Sequence, residues 1–113
     1  MIHQRDWKTF HDDLLPQAVL GKTPEYFEKS LGIRFLEDYD DLDYYKGVLL
    51  SLDDSTTFAL KQYRGNDPKT TTIYLMSDQR DVDQITTIIG KIVDELALQR
   101  DDIIWQRKDN PEA

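Results

Sequence analysis

The apolar positions of this chain follow two rhythms. Over residues 44–52, 56–63 and 70–76 they alternate with polar ones, as in a half-buried strand, and these runs are rich in the Thr, Tyr, Val, Leu, Ile and Phe that suit a pleated surface. Asp53, Asp54 and Ser55 form a link of hairpin length between the first two runs, and the turn formers of residues 64–69 join the last two. Short links force neighbouring strands to run antiparallel, so residues 44–76 predict an antiparallel meander. Alternation gives it one strongly apolar face, with Val48, Leu50, Leu52, Phe58, Leu60, Ile73 and Leu75. The other face is mixed and carries Tyr45, Gly47, Leu49, Ser51, Lys61 and Tyr74. An antiparallel sheet can leave such a face in water or lend it to a partner.

Around the meander the rhythm is helical. Trp7, Phe10 and Leu14 share a stripe at three- and four-residue spacing, which predicts a helix over residues 6–15 that Pro16 stops or kinks. A better-signalled short helix follows: Thr23 is placed to cap it, Pro24 and Glu25 suit its first turn, and Gly32 suits its end. Tyr26, Phe27 and Leu31 would anchor it, and a short strand is expected over residues 33–37. The longest helix is expected over residues 81–98, where Val82, Ile85, Ile89, Ile92 and Leu96 recur at helical spacing and Ile88 and Val93 widen the stripe. Gly90 costs that helix about 1 kcal/mol relative to alanine and so suggests a close backbone approach. Residues 102–107 place Ile103 and Trp105 on one side of a final edge strand, and residues 109–113 are expected to fray.

The class that follows is α+β, in a single domain of 113 residues: an antiparallel sheet of three to five strands, with N-terminal helices and one long C-terminal helix packed on its apolar face. The strands and helices do not alternate as in a parallel nucleotide-binding sheet, and the five glycines are isolated rather than gathered in a phosphate loop.

Composition narrows the function classes. With 39% hydrophobic and 32% charged residues the chain belongs with globular proteins rather than disordered ones. Its longest aliphatic run is Val48, Leu49 and Leu50, far short of a membrane span, and Asp6, Asp12 and Asp13 do not suit a signal peptide. Cysteine is absent, which removes disulfides, thiol nucleophiles and thiolate metal sites and makes the cytoplasm the default location. His3 and His11, eight residues apart, match no metal-binding spacing. Ser30, Ser51, Ser55 and Ser77 fall where helix, strand, turn and cap already account for them. A non-catalytic protein with no cofactor and no metal is therefore expected.

Charge is the most uneven feature. Of the net −8, residues 37–54 carry −6, with seven acidic groups against Lys46 alone. Those groups are Glu37, Asp38, Asp40, Asp41, Asp43, Asp53 and Asp54. An EF-hand begun at Asp38 or Asp41 would lack its central glycine and terminal glutamate. Two readings of the cluster remain. One is a solvated loop that keeps the protein soluble and monomeric. The other is a docking surface for a basic protein partner, in which Tyr39, Tyr44 and Tyr45, interleaved with the aspartates, supply the buried contact that charge alone does not. The same negative surface disfavours nucleic acid, and the patch of Lys61, Arg64 and Lys69 is too small to reverse that. Nothing in the pattern opposes self-association. Small acidic α+β domains without catalytic motifs include inhibitors that block nuclease toxins and chaperones that hold secreted effectors, an analogy of size, charge and class alone. A separate expectation is a small-ligand pocket between the sheet and the N-terminal helices, lined by Trp7, Phe10, Tyr26, Phe27 and Trp105.

Overall fold

The computed structural model describes residues 2–6, 14–39, 43–52, 56–76 and 81–107. The expected meander is its centre. Strands β4 (Tyr44–Leu52), β5 (Thr56–Tyr63) and β6 (Thr71–Met76) pair antiparallel, with Leu50 opposite Phe58 and Phe58 opposite Leu75. Four further strands extend it: β1 (Ile2–Arg5), β2 (Leu14–Leu20), β3 (Leu36–Tyr39) and β7 (Ile103–Gln106). The order is β1-β4-β5-β6-β2-β7, and β3 joins the same side of β4 as β1 does, one beside each half of that long strand. Helices α1 (Pro24–Leu31) and α2 (Val82–Glu95) complete the fold.

This corrects the expected class. The protein is mostly a seven-stranded antiparallel sheet with two short helices, not a sheet of three to five strands under N-terminal helices and one long C-terminal helix. The helix expected over residues 6–15 fails at its end, because Leu14 and Leu15 open β2; Trp7 and Phe10 lie outside the described residues. Pro16 sits within β2, at a register shift between Pro16 and Ala18. It is tolerated because β7 pairs only with Ala18, Val19 and Leu20, so no neighbour there needs the missing N–H. The Pro16 carbonyl accepts instead from the Arg107 guanidinium, at 3.1 and 3.3 Å. The shift leaves Gln17 fully buried with no hydrogen-bond partner for its side-chain amide.

Local signals explain the helices. In α1 the Thr23 side chain accepts from Tyr26 N, Pro24 occupies the first turn, and Gly32 closes the end at φ 68°. In α2 the Asp81 carboxylate accepts from the Asp83 and Gln84 amides. That helix ends sooner than the apolar spacing predicts, since Ala97 adopts φ 58° and Leu98 N–H turns back to the Val93 carbonyl. Leu96 and Leu98 are nonetheless buried.

One core holds these elements together. Phe27 from α1 and Ile85, Ile89, Ile92 and Val93 from α2 join Leu20, Val48, Leu50, Phe58, Leu60, Ile73 and Leu75 of the sheet. The cover is shared, with α1 nearest β5 and α2 nearest β2, where a single long helix had been expected to span the meander. A Cβ on Gly90 would meet only the Arg100 side chain, at 3.9 Å, so the close backbone approach suggested by that glycine is not present.

The opposite face is less open than its mixed composition implies. Leu49, Ser51, Ala59 and Thr72 at its centre are buried. Ala59 lies between Leu49 and Tyr74 in the ladder, and Arg5 Nε donates to Ser51 Oγ at 2.8 Å. A second irregularity affects β7: Leu20 faces Ile103 while Val19 faces Trp105, so the bulge puts Ile103 against the core and Trp105 on the opposite face. The expectation that both share one side is thereby overturned. Among the described residues no helix is long and apolar enough to cross a membrane.

Candidate functional site

The β3–β4 pairing brings Glu37, Asp38 and Asp43, three of the seven acidic residues of the cluster, to one corner of the sheet. Glu37 faces Lys46, Asp38 faces Tyr45 and Tyr39 faces Tyr44. Every residue of β3 is exposed, and among the described residues its outer edge pairs with no strand. Paired residues share a face, so Glu37, Tyr39, Tyr44 and Lys46 lie on the helix-bearing side. Tyr39 and Tyr44 are 69% and 55% exposed, with ring centroids 5.5 Å apart. They border a shallow concavity of about 620 Å³ that Gln62, Arg64 and Pro68 complete.

Asp43 anchors that corner. Its carboxylate accepts from the Tyr44 amide at 2.7 Å and the Gly65 amide at 3.0 Å, and pairs with Arg64 at 3.0 Å. Arg64 in turn lies 5.0 Å from the Tyr44 ring centroid and donates its backbone N–H to the Tyr44 carbonyl. Asp43 thus ties the start of β4 to the turn after β5. Asp38 is partly engaged as well, because its carboxylate accepts from the Tyr39 amide at 2.8 Å. Lys46 reaches Glu25 of α1 at 3.5 Å, and Glu28 accepts from the Phe35 amide at 2.9 Å. Beside them, a second concavity of about 460 Å³ is lined by Glu25, Glu28, Arg34, Glu37 and Lys46 among others. Two of the cations at this corner, Lys46 and Arg64, stand beside carboxylates.

Tyr45 is placed differently from its neighbours. It is 9% exposed on the opposite face, its ring 5.5 Å from that of Tyr63. Lys61 Nζ stands 4.5, 5.4 and 5.1 Å from the ring centroids of Tyr45, Tyr63 and Tyr74, a cation among three aromatic faces. Asp40, Asp41, Asp53 and Asp54 lie outside the described residues. Leu52, the far end of β4, is eight residues beyond Tyr44, or about 27 Å at strand rise. No family model matches this chain, and no curated protein or solved structure is similar to it beyond chance.

Arg64, Gln62 and Lys46 are the site residues that the charge pattern did not single out. Arg64 was within reach: a three-residue hairpin link after Leu52 pairs Tyr45 with Tyr63 and so brings Arg64 beside Tyr44. The aromatic residues considered for a ligand pocket are dispersed. Phe27 is fully buried in the core, Tyr26 packs against it, and Trp105 lies at the β7 edge; Trp7 and Phe10 are outside the described residues. Among the described residues no group of three His, Asp or Glu side chains is arranged to hold a metal ion.

Proposed function

We propose that this protein is a binding module that docks a basic protein partner on the β3–β4 corner. The observation that carries this reading is the exposed pair Tyr39 and Tyr44, their rings in contact at a tilt of 59° and set among Glu37, Asp38 and Asp43 on a strand edge unpaired among the described residues. Exposed tyrosines offer rigid contact area and an aromatic face for Lys or Arg, worth about 0.5–1 kcal/mol per contact at a surface. The carboxylates supply steering and register, and an extended basic segment fits both because its backbone can lie along β3. Asp40 and Asp41, which follow Tyr39 directly in the chain, add to the charge.

Binding of synthetic Lys/Arg-rich peptides and of proteins captured from native cell extract, measured across a salt series, tests this. Basic ligands are expected to bind, with on-rates that fall as salt rises. Glu37→Gln with Asp38→Asn should flatten that salt dependence, and Tyr39→Ser should speed dissociation. Asp43 is left intact because it holds the turn at Gly65. If acidic peptides bind as well as basic ones, or if these variants change neither affinity nor salt dependence, the assignment is wrong.

A further inference from the structure

The far edge of the sheet has the opposite character. Strand β7 pairs only with β2, and among the described residues nothing pairs with its outer side. Arg107 N–H donates inward to the Gln17 carbonyl, so by strand alternation the backbone groups of Gln106 point away from the sheet. Edge strands are ordinarily blunted with charge or proline, whereas β7 presents Ile104 at 62% and Trp105 at 45% exposure, beside an open groove of about 550 Å³.

We propose that β7 is a self-association edge, on which a second copy of this chain pairs antiparallel about a twofold axis to extend the sheet across the dimer. Charge selects that occupant. The protein carries −8, and copies approaching through the β3–β4 corner would meet with like charge. The β7 edge is locally neutral, with Arg100 and Arg107 against Asp101 and Asp102. Its order matters as well: Arg100, Asp101 and Asp102 precede the strand, with Lys22 3.9 Å from Asp102, so that end is balanced, while Arg107 follows it. Antiparallel pairing sets the Arg107 end of each copy against the balanced end of the other, twice, whereas parallel pairing would set Arg107 against Arg107. The twofold axis keeps both Trp105 side chains on the same face of the joined sheet. The proposal is independent of the basic partner, which would use the other edge.

Light scattering of the eluting 113-residue chain over a concentration series should give twice the chain mass of 13.3 kDa. Ile104→Lys should halve that mass while leaving the circular dichroism and the unfolding midpoint near wild type. Because the chain has no cysteine, Trp105→Cys introduces a unique thiol. It should form a disulfide-linked dimer under mild oxidation, while the exposed helix variant Lys91→Cys should stay largely unlinked. A monomer at every concentration, a dimer that survives Ile104→Lys, or equal crosslinking of the two cysteine variants would overturn the proposal.

Discussion

Replacing Ile89 by alanine tests the core most directly. Ile89 is 1% exposed near the middle of α2, in the cluster formed by Leu50, Phe58, Leu60 and Leu75. The substitution removes three carbons, about 2.4 kcal/mol of transfer free energy at about 0.8 kcal/mol each. The cavity left between helix and sheet adds to this, since strands locked in a ladder cannot collapse inward, and the total falls within the range of about 2–5 kcal/mol. A domain of this size holds about 5–15 kcal/mol in all. Lys91, two residues on, is exposed, and alanine there should change stability by no more than about 0.5 kcal/mol. In urea, with a slope of about 1–3 kcal/mol per molar, Ile89→Ala should lower the midpoint by about 1 M or more and Lys91→Ala should barely move it. Equal shifts from the two variants would refute the packing of α2 described above.

Two further substitutions should raise stability. Gly90→Ala is expected to gain about 1 kcal/mol in the same urea experiment, because helix propensity improves and the added methyl meets nothing closer than 3.9 Å; a loss would mean that the helix lies closer to its neighbours than the structure has it. Gln17→Met should gain about 1 kcal/mol by replacing a buried, unpartnered amide with an apolar group of similar length, and a lowered midpoint would show that the amide is hydrogen-bonded.

What could be read from the chain beforehand, and what could not, has a common physical basis. The meander declares itself because each of its strands has one buried side, and α1 because Thr23, Pro24 and Gly32 mark both its ends. Strand β3 lies at Leu36–Tyr39 rather than over the expected residues 33–37, because the apolar Ile33 and Phe35 precede the paired residues, all four of which are exposed, and β1 has only Ile2 to show. Strand β2 is hidden by its own irregularity: the run Leu14–Leu20 carries a proline and an extra residue, which break period two and leave Leu14 at helical spacing from Phe10. Strands β1 and β2 are what widened an expected sheet of three to five strands to seven, and β2 took the place of the end of an expected helix. The site was legible as charge but not as architecture. Glu37, Asp38 and Tyr39 do gather at one corner, but only pairing could show that Asp43 is committed to Arg64 and Gly65 or that Tyr45 turns to the opposite face.

The place of β2 also sets an order in time. It lies between β6 and β7, with Ala18 held by Ile73 on one side and by Gln106 on the other. The second of those partners is 88 residues further along the chain, about 4–18 s of synthesis at about 5–20 residues per second. The meander, by contrast, is closed by local hairpins and can assemble as soon as it emerges, since nearby contacts cost little chain entropy. One side of β2 can pair with β6 as soon as the meander emerges, but Ala18, Val19 and Leu20 keep their other side open until β7 is made. The sheet is thus built outward from its middle, and β2, made before the meander, is secured on both sides only after it.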